Sequence, residues 1–219
     1  MKNLLLLLLF FRVGETATVL DWDEVAFRKI NGFRSPFLTA GAVVLSDAAY
    51  IPPVLYAYSF GYGLYHDEPK AADFGKIGFT TMAVVIAGNQ IVKHFVKRDR
   101  PLFAVNGAQG DYQDGFFTRL FPSEKYSCPS QSASLAASEA MVLGYAFPHY
   151  DKYFYFLMVL NAWSRVYKGA HYPGDVLLGM SVGALLTYGT LLGLKKADAD
   201  LDLTHCDAHI PLFRVSHGF

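Results

Sequence analysis

Two cysteines, Cys128 and Cys206, are all that the 219 residues contain. That excludes a disulfide-stapled scaffold, and the two lack the close spacing of a zinc site. Charge is also scarce, at 17% of residues, where about 25% is usual. Neither sign is in excess, since Lys+Arg and Asp+Glu both number 19. The basic surplus of a nucleic-acid binder is therefore missing, and no nucleic-acid partner is expected. No internal repeat and no alternating strand pattern of any length is present. Apolar material, by contrast, is plentiful. Hydrophobic residues make up 53% of the chain and aromatics 16%, and mean hydropathy is +0.23. Such a chain is not disordered and has length for one domain.

The apolar residues fall in long runs. Residues 35–65 carry one charge, Asp47, and Pro52 and Pro53 predict a kink there. Residues 77–92 are charge-free and lead into the basic cluster Lys93, Lys97, Arg98 and Arg100. A polar stretch fills 101–128, a small-residue-rich segment 129–148, and a charge-free aromatic segment 153–164. Val176–Leu194 is charge-free for 19 residues and is the best membrane-span candidate. Glycine recurs inside these segments, a habit of membrane helices. The pattern predicts an all-α fold, a multi-pass membrane bundle of about five to six helices, about five of them spanning. Asp47 and Glu139 are expected to face its interior, because either would be expensive against lipid.

The ends read differently. Lys2 precedes the charge-free run Asn3–Phe11, which Arg12 closes. Nine residues at about 1.5 Å each cannot cross a membrane core of about 30 Å. The run suits a signal-peptide core or short anchor, although a cut after Ala17 would put Glu15 where a small residue belongs. The alternative is an apolar helix packed on the protein or in the interface. The expected organisation is thus an apolar segment and lead-in over 1–34, a domain over 35–194, and a polar acidic tail over 195–219.

Three segments concentrate cations and nucleophiles beside apolar helices. Lys93 and Arg100 are seven apart, two helical turns, and so share a face, where a Lys point charge and an Arg fork suit a phosphate. Pro129-Ser130-Gln131-Ser132 stands where the polar stretch gives way to a helix. Ser130 there is an ordinary N-cap, and the same geometry aims N–H groups at an anion. In Ser164-Arg165…His171…Asp175, His171 and Asp175 are four apart, so a carboxylate near one imidazole nitrogen would leave the other free to attack.

Together and in this order, the segments resemble the type 2 phosphatidic acid phosphatase (PAP2) superfamily signature K-x6-R-P, P-S-G-H, S-R-x5-H-x3-D. The resemblance covers roughly 35–194. It implies a helical bundle with a PAP2/acid-phosphatase-like core and the site at one helix-end face. It implies that Lys93, Arg100, Ser130, Gln131 and Arg165 hold the phosphoryl oxygens. His171 would attack phosphorus, oriented by Asp175, and water would release phosphate from the phosphohistidine. Fixed cations would stabilise the transition state, so neither a metal nor a cofactor is expected. The membrane branch implies a lipid phosphate or diphosphate as substrate, in the cell membrane, with the site facing out. The motif loops hold more Lys and Arg than the opposite loops, which alone points to the cytoplasm, but much of that charge belongs to the site.

One position departs from the signature. The family's second motif ends Gly-His, and here it reads Gln131-Ser132. That His protonates the leaving oxygen, and a Ser132 hydroxyl is a poor acid. His94 is turned about 100° from Lys93 around the helix, and Glu139 stands two turns beyond Ser132, about 10 Å deeper, so neither is an evident replacement. Losing a general acid costs about 10²–10⁴ in rate. The departure thus favours a leaving group that needs no proton, such as a lipid phosphate departing from a diphosphate. The competing classes are a weak or inactive phospholipid-binding relative and a soluble exported acid phosphatase. A vanadium haloperoxidase, also in the superfamily, ranks last because the chain is short and lacks the motif His.

Overall fold

The computed structural model describes residues 17–111, 116 and 125–197. The apolar run at 3–11 and the tail from 198 onward lie outside the described residues. The long elements are all helices: α1 (Ala17–Gly32), α2 (Pro36–Ala48), α3 (Ile51–Tyr65), α4 (Pro69–Val96), α6 (Gln131–Ala146), α7 (Asp151–Tyr167) and α8 (Pro173–Ala197), with α5 (Pro101–Ala104) a single turn. Among the described residues no strand forms, only an isolated bridge between Asp99 and Tyr126.

Local chemistry sets the boundaries. Ser35 caps α2 by accepting from the Leu38 amide at 3.1 Å, with Pro36 at the first helical position. The expected kink in 35–65 falls at Ala49–Tyr50, and Pro52 and Pro53 occupy the first turn of α3, where their missing N–H is harmless. α4 ends at Val96 because Lys97 takes the left-handed conformation, φ 50°.

α6 is the hub and packs against α4, α7 and α8. Its small residues make this possible: Ala133, Ser134, Ala136, Ala137, Ser138 and Ala140 are all buried. Opposite them, a Cβ on Gly179 would come within 2.5 Å of the Ser130 carbonyl oxygen, and one on Gly183 would overlap that of Ser134. Ser134 Oγ donates to the Gly179 carbonyl at 2.7 Å, and Thr187 and Ser138 share a hydrogen bond at 2.7 Å. Small residues and cross-helix hydroxyls hold helices together where lipid supplies no hydrophobic drive. An aromatic cluster of Tyr56, Phe74 and Phe147 fills one end of the bundle. Phe27, Tyr172 and Val176 fill the other, beside the site.

Among the described residues, three stretches are long and apolar enough to cross a membrane: Pro36–Tyr65, Pro69–Val96 and Pro173–Ala197, the last enclosing the expected span at 176–194. α6 and α7, the other two of the expected five, have 16 and 17 residues. Val44, Ile51, Val54, Leu185 and Tyr188 face outward, as lipid contact requires. Glu139 is buried, as expected, and Asp47 partly so.

Candidate active site

Lys93, Arg100 and Arg165 come together, although not by the route that sequence spacing suggests. Lys93 lies in the last turn of α4. Arg100 does not share its helical face, because the helix ends at Val96 and Arg100 stands beyond the turn, just before α5. Both nevertheless line one cavity of about 450 Å³ with Arg165, His171, Gln131 and Ser132. All three cations are almost fully buried. Arg165 is braced by Nη2 donating to the Ser46 carbonyl at 3.1 Å, and Gln131 by a hydrogen bond from Gln90 at 2.9 Å.

His171 sits in the turn between α7 and α8, which reverses at Gly169, φ 74°. Its Nδ1 lies 2.7 Å from the Ser127 carbonyl oxygen. A carbonyl only accepts, so Nδ1 carries the proton. Nε2 lies 3.3 Å from Arg100 Nη1, which only donates, so Nε2 presents its lone pair. Burial, with Arg100, Lys93 and Arg165 nearby, holds the imidazole well below its ordinary value and keeps it neutral. The neutral ring, its Nε2 lone pair turned to Arg100, lies among three cations, an arrangement that can bind an anion and hold a nucleophile beside it.

Asp175 and Ser130 lie outside the cavity wall. Asp175 Oδ2 is 4.0 Å from His171 Nδ1, beyond hydrogen-bond range, and accepts instead from the Tyr172 amide at 3.0 Å. The group oriented against the ring is Ser127. Ser130 is the buried N-cap of α6, with Oγ 3.4 Å from the Ala133 amide, and its own amide donates to the Asp175 carbonyl at 2.9 Å. His94 is exposed, while Glu139 lines the cavity that Ser132 lines.

Behind His171 lies a network that spacing did not reveal. Arg98 Nη1 donates to Asp23 at 2.7 Å and to Asp175 at 2.8 Å. Its guanidinium lies over the Tyr172 ring, 3.8 Å from the centroid. The Arg98 carbonyl accepts from the Ser127 amide at 2.7 Å, so one residue steadies both the carboxylates and the strand of chain that holds His171. Burial alone would lower the Arg98 guanidinium, but Asp175 and Asp23 outweigh it and raise it. Asp23, on α1, also accepts from the Gly174 amide at 2.7 Å. Burial, with Asp175 beside it, pushes the Cys128 thiol up and keeps it protonated.

Comparison with known proteins agrees with this architecture. The PAP2 superfamily profile matches residues 75–198. The crystal structure of a transmembrane PAP2-type phosphatidylglycerolphosphate phosphatase from Bacillus subtilis superposes with TM-score 0.66 at 22% identity, covering 90% of this chain and 96% of that one. That of Aquifex aeolicus LpxE superposes with TM-score 0.53 at 22% identity, covering 76% and 92%. No curated protein matches the chain.

Proposed function

Because the chain belongs to the PAP2 superfamily, we propose that it removes phosphate from a membrane lipid phosphate or lipid diphosphate, without a metal, through a phosphohistidine. One observation carries this reading: Nε2 of a neutral His171 faces a cavity walled by Lys93, Arg100 and Arg165. Phosphate oxygens would sit among the three cations, with Gln131 and Ser132 on the α6 side. Nε2 forms a bond to phosphorus as the bond to the leaving oxygen breaks. Water then attacks phosphorus, the P–N bond breaks, and inorganic phosphate leaves. Charge that develops on the phosphoryl oxygens meets cations already in place.

Ser130 serves this scheme as the cap that starts α6, and Asp175 through Arg98 and the Tyr172 amide. With Ser132 at the acid position, a diphosphate is the better substrate, since its leaving phosphate is stable as an anion. The family resemblance supports a position in the cell membrane with the site on the outer side. A membrane-impermeant substrate should then be hydrolysed by sealed cells. A second reading, a lipid-phosphate binder with little turnover, draws on the absent acid. Phosphate release from lipid mono- and diphosphates in chelator, with orthovanadate as competitor, decides between them. Binding without release, and no labelled phosphoenzyme, would favour the binder.

A further inference from the structure

The cavity at His171 is a shaft. Met82, Ile86, Gln90 and Lys93 of α4 form one wall, and Gln131, Ser132, Leu135 and Glu139 of α6 the other. The Gln90–Gln131 hydrogen bond and the Phe74–Phe147 ring contact set the two helices antiparallel. At about 1.5 Å per residue, Glu139 stands about 12 Å below Gln131. The cations and His171 therefore gather at the head of the shaft, and Glu139 lies at its foot beyond the apolar Ile86 and Leu135.

Glu139 is 7% exposed, and its Oε1 has no hydrogen-bond partner. A second cavity of about 210 Å³ adjoins the foot, sharing Glu139 and Ala49 with the shaft and otherwise lined mainly by apolar side chains such as Leu55, Leu143 and Phe154. Asn161, at 5% exposure, lines this second cavity and has an unpartnered Oδ1. Unpaired buried oxygens are costly, and one at the junction with another on the wall of the adjoining cavity mark a place for a hydrogen-bonding partner.

The partner's chemistry follows from the surroundings. A ligand ammonium would share its cavity with three cations, which disfavours it. A hydroxyl pairs with a carboxyl in either protonation state, because an ionised carboxylate accepts and a neutral acid both donates and accepts. The apolar second cavity suits hydrocarbon. We propose that Glu139 is a substrate-binding residue that selects phosphorylated amphiphiles with a hydroxyl partway along the chain, the phosphate lying at the cations and the hydroxyl at the junction of the two cavities. This rests on the phosphatase reading for the position of the phosphate.

The test is a hydroxyl scan. Decyl phosphates carrying no hydroxyl, or one near the phosphate, in mid-chain or at the far end, are compared as substrates. They are also compared as ligands of the His171→Ala protein, where binding is read without turnover. The expected result is a maximum at mid-chain to far-end positions, about ten- to hundredfold above the plain chain in kcat/KM and in affinity. Glu139→Leu should lower the chains at that maximum about tenfold more than it alters the plain chain, and Glu139→Gln, which still hydrogen-bonds, should keep part of the preference. A flat scan in the wild-type protein overturns the proposal and leaves the Glu139 oxygen to a buried water. The same holds if Glu139→Leu weakens all substrates equally. Should no member of the series be hydrolysed while the His171→Ala protein still shows the hydroxyl preference, the phosphatase reading fails and the Glu139 site stands.

Discussion

Arg98 and Asp23 are joined at 2.7 Å across a separation of 75 positions, and the same Arg98 nitrogen reaches Asp175 at 2.8 Å. An N-terminal helix outside the profile-matched residues thereby contributes a carboxylate to the support of His171.

Removing that carboxylate should show both in stability and in the chemical step. Asp23→Asn removes the negative charge facing a largely buried guanidinium, at a cost of about 1–3 kcal/mol. We expect kcat to fall about tenfold with KM little changed, because Asp23 does not line the substrate cavity. Asp23→Glu should recover part of the loss. Steady-state kinetics beside thermal melting checks this, and a change confined to melting temperature would make Asp23 structural only.

His171→Ala should abolish phosphate release and phosphoenzyme formation alike. Asp175→Asn should lower activity by loosening Arg98 and the Tyr172 amide, with the ring still held by Ser127. Phosphoenzyme trapped from the alanine protein would disprove the nucleophile assignment.

The pH profile follows from the depressed imidazole of His171. Attack needs the neutral ring, so protonation removes activity. Because the folded-state value lies well below the ordinary 6.5, activity should persist as pH falls through 6.5 and decline only at the lower folded-state value. The acid limb of kcat/KM against pH reads this directly. A limb centred at or above 6.5 would contradict it.

Ser132→His places an imidazole where the family carries its acid. Monoester turnover should rise by about 10²–10⁴, and diphosphate turnover much less. Equal gains on both, or none, measured on chain-matched lipids, would remove the leaving-group argument.

Much of this site could be read from spacing, and what could not has identifiable causes. Lys93, Arg100, Arg165 and His171 lie in two compact motifs, and the structure brings all four to one cavity. The inference that Lys93 and Arg100 share a helical face missed the left-handed turn at Lys97, since a lysine gives no warning of positive φ. Ser127 went unseen because it acts through its backbone carbonyl, which any residue possesses. Asp23 lay far from every motif, and only the docking of α1 explains it. Helical rise alone sets Glu139 two turns below Ser132, and the cavity that both line is not read from sequence. The helical class and the kink near Pro52 were legible because apolar runs and proline act locally.

The close approach at Gly179 and Gly183 also determines how a lipid can arrive. With α6 and α8 in backbone contact there, no hydrocarbon chain can slide between them. No residue of α8 lines the shaft, whereas Ala49, Tyr50 and Pro53 do. Under the proposed function, a substrate resting in the bilayer would enter by the corner where α2 gives way to α3, away from the two glycines.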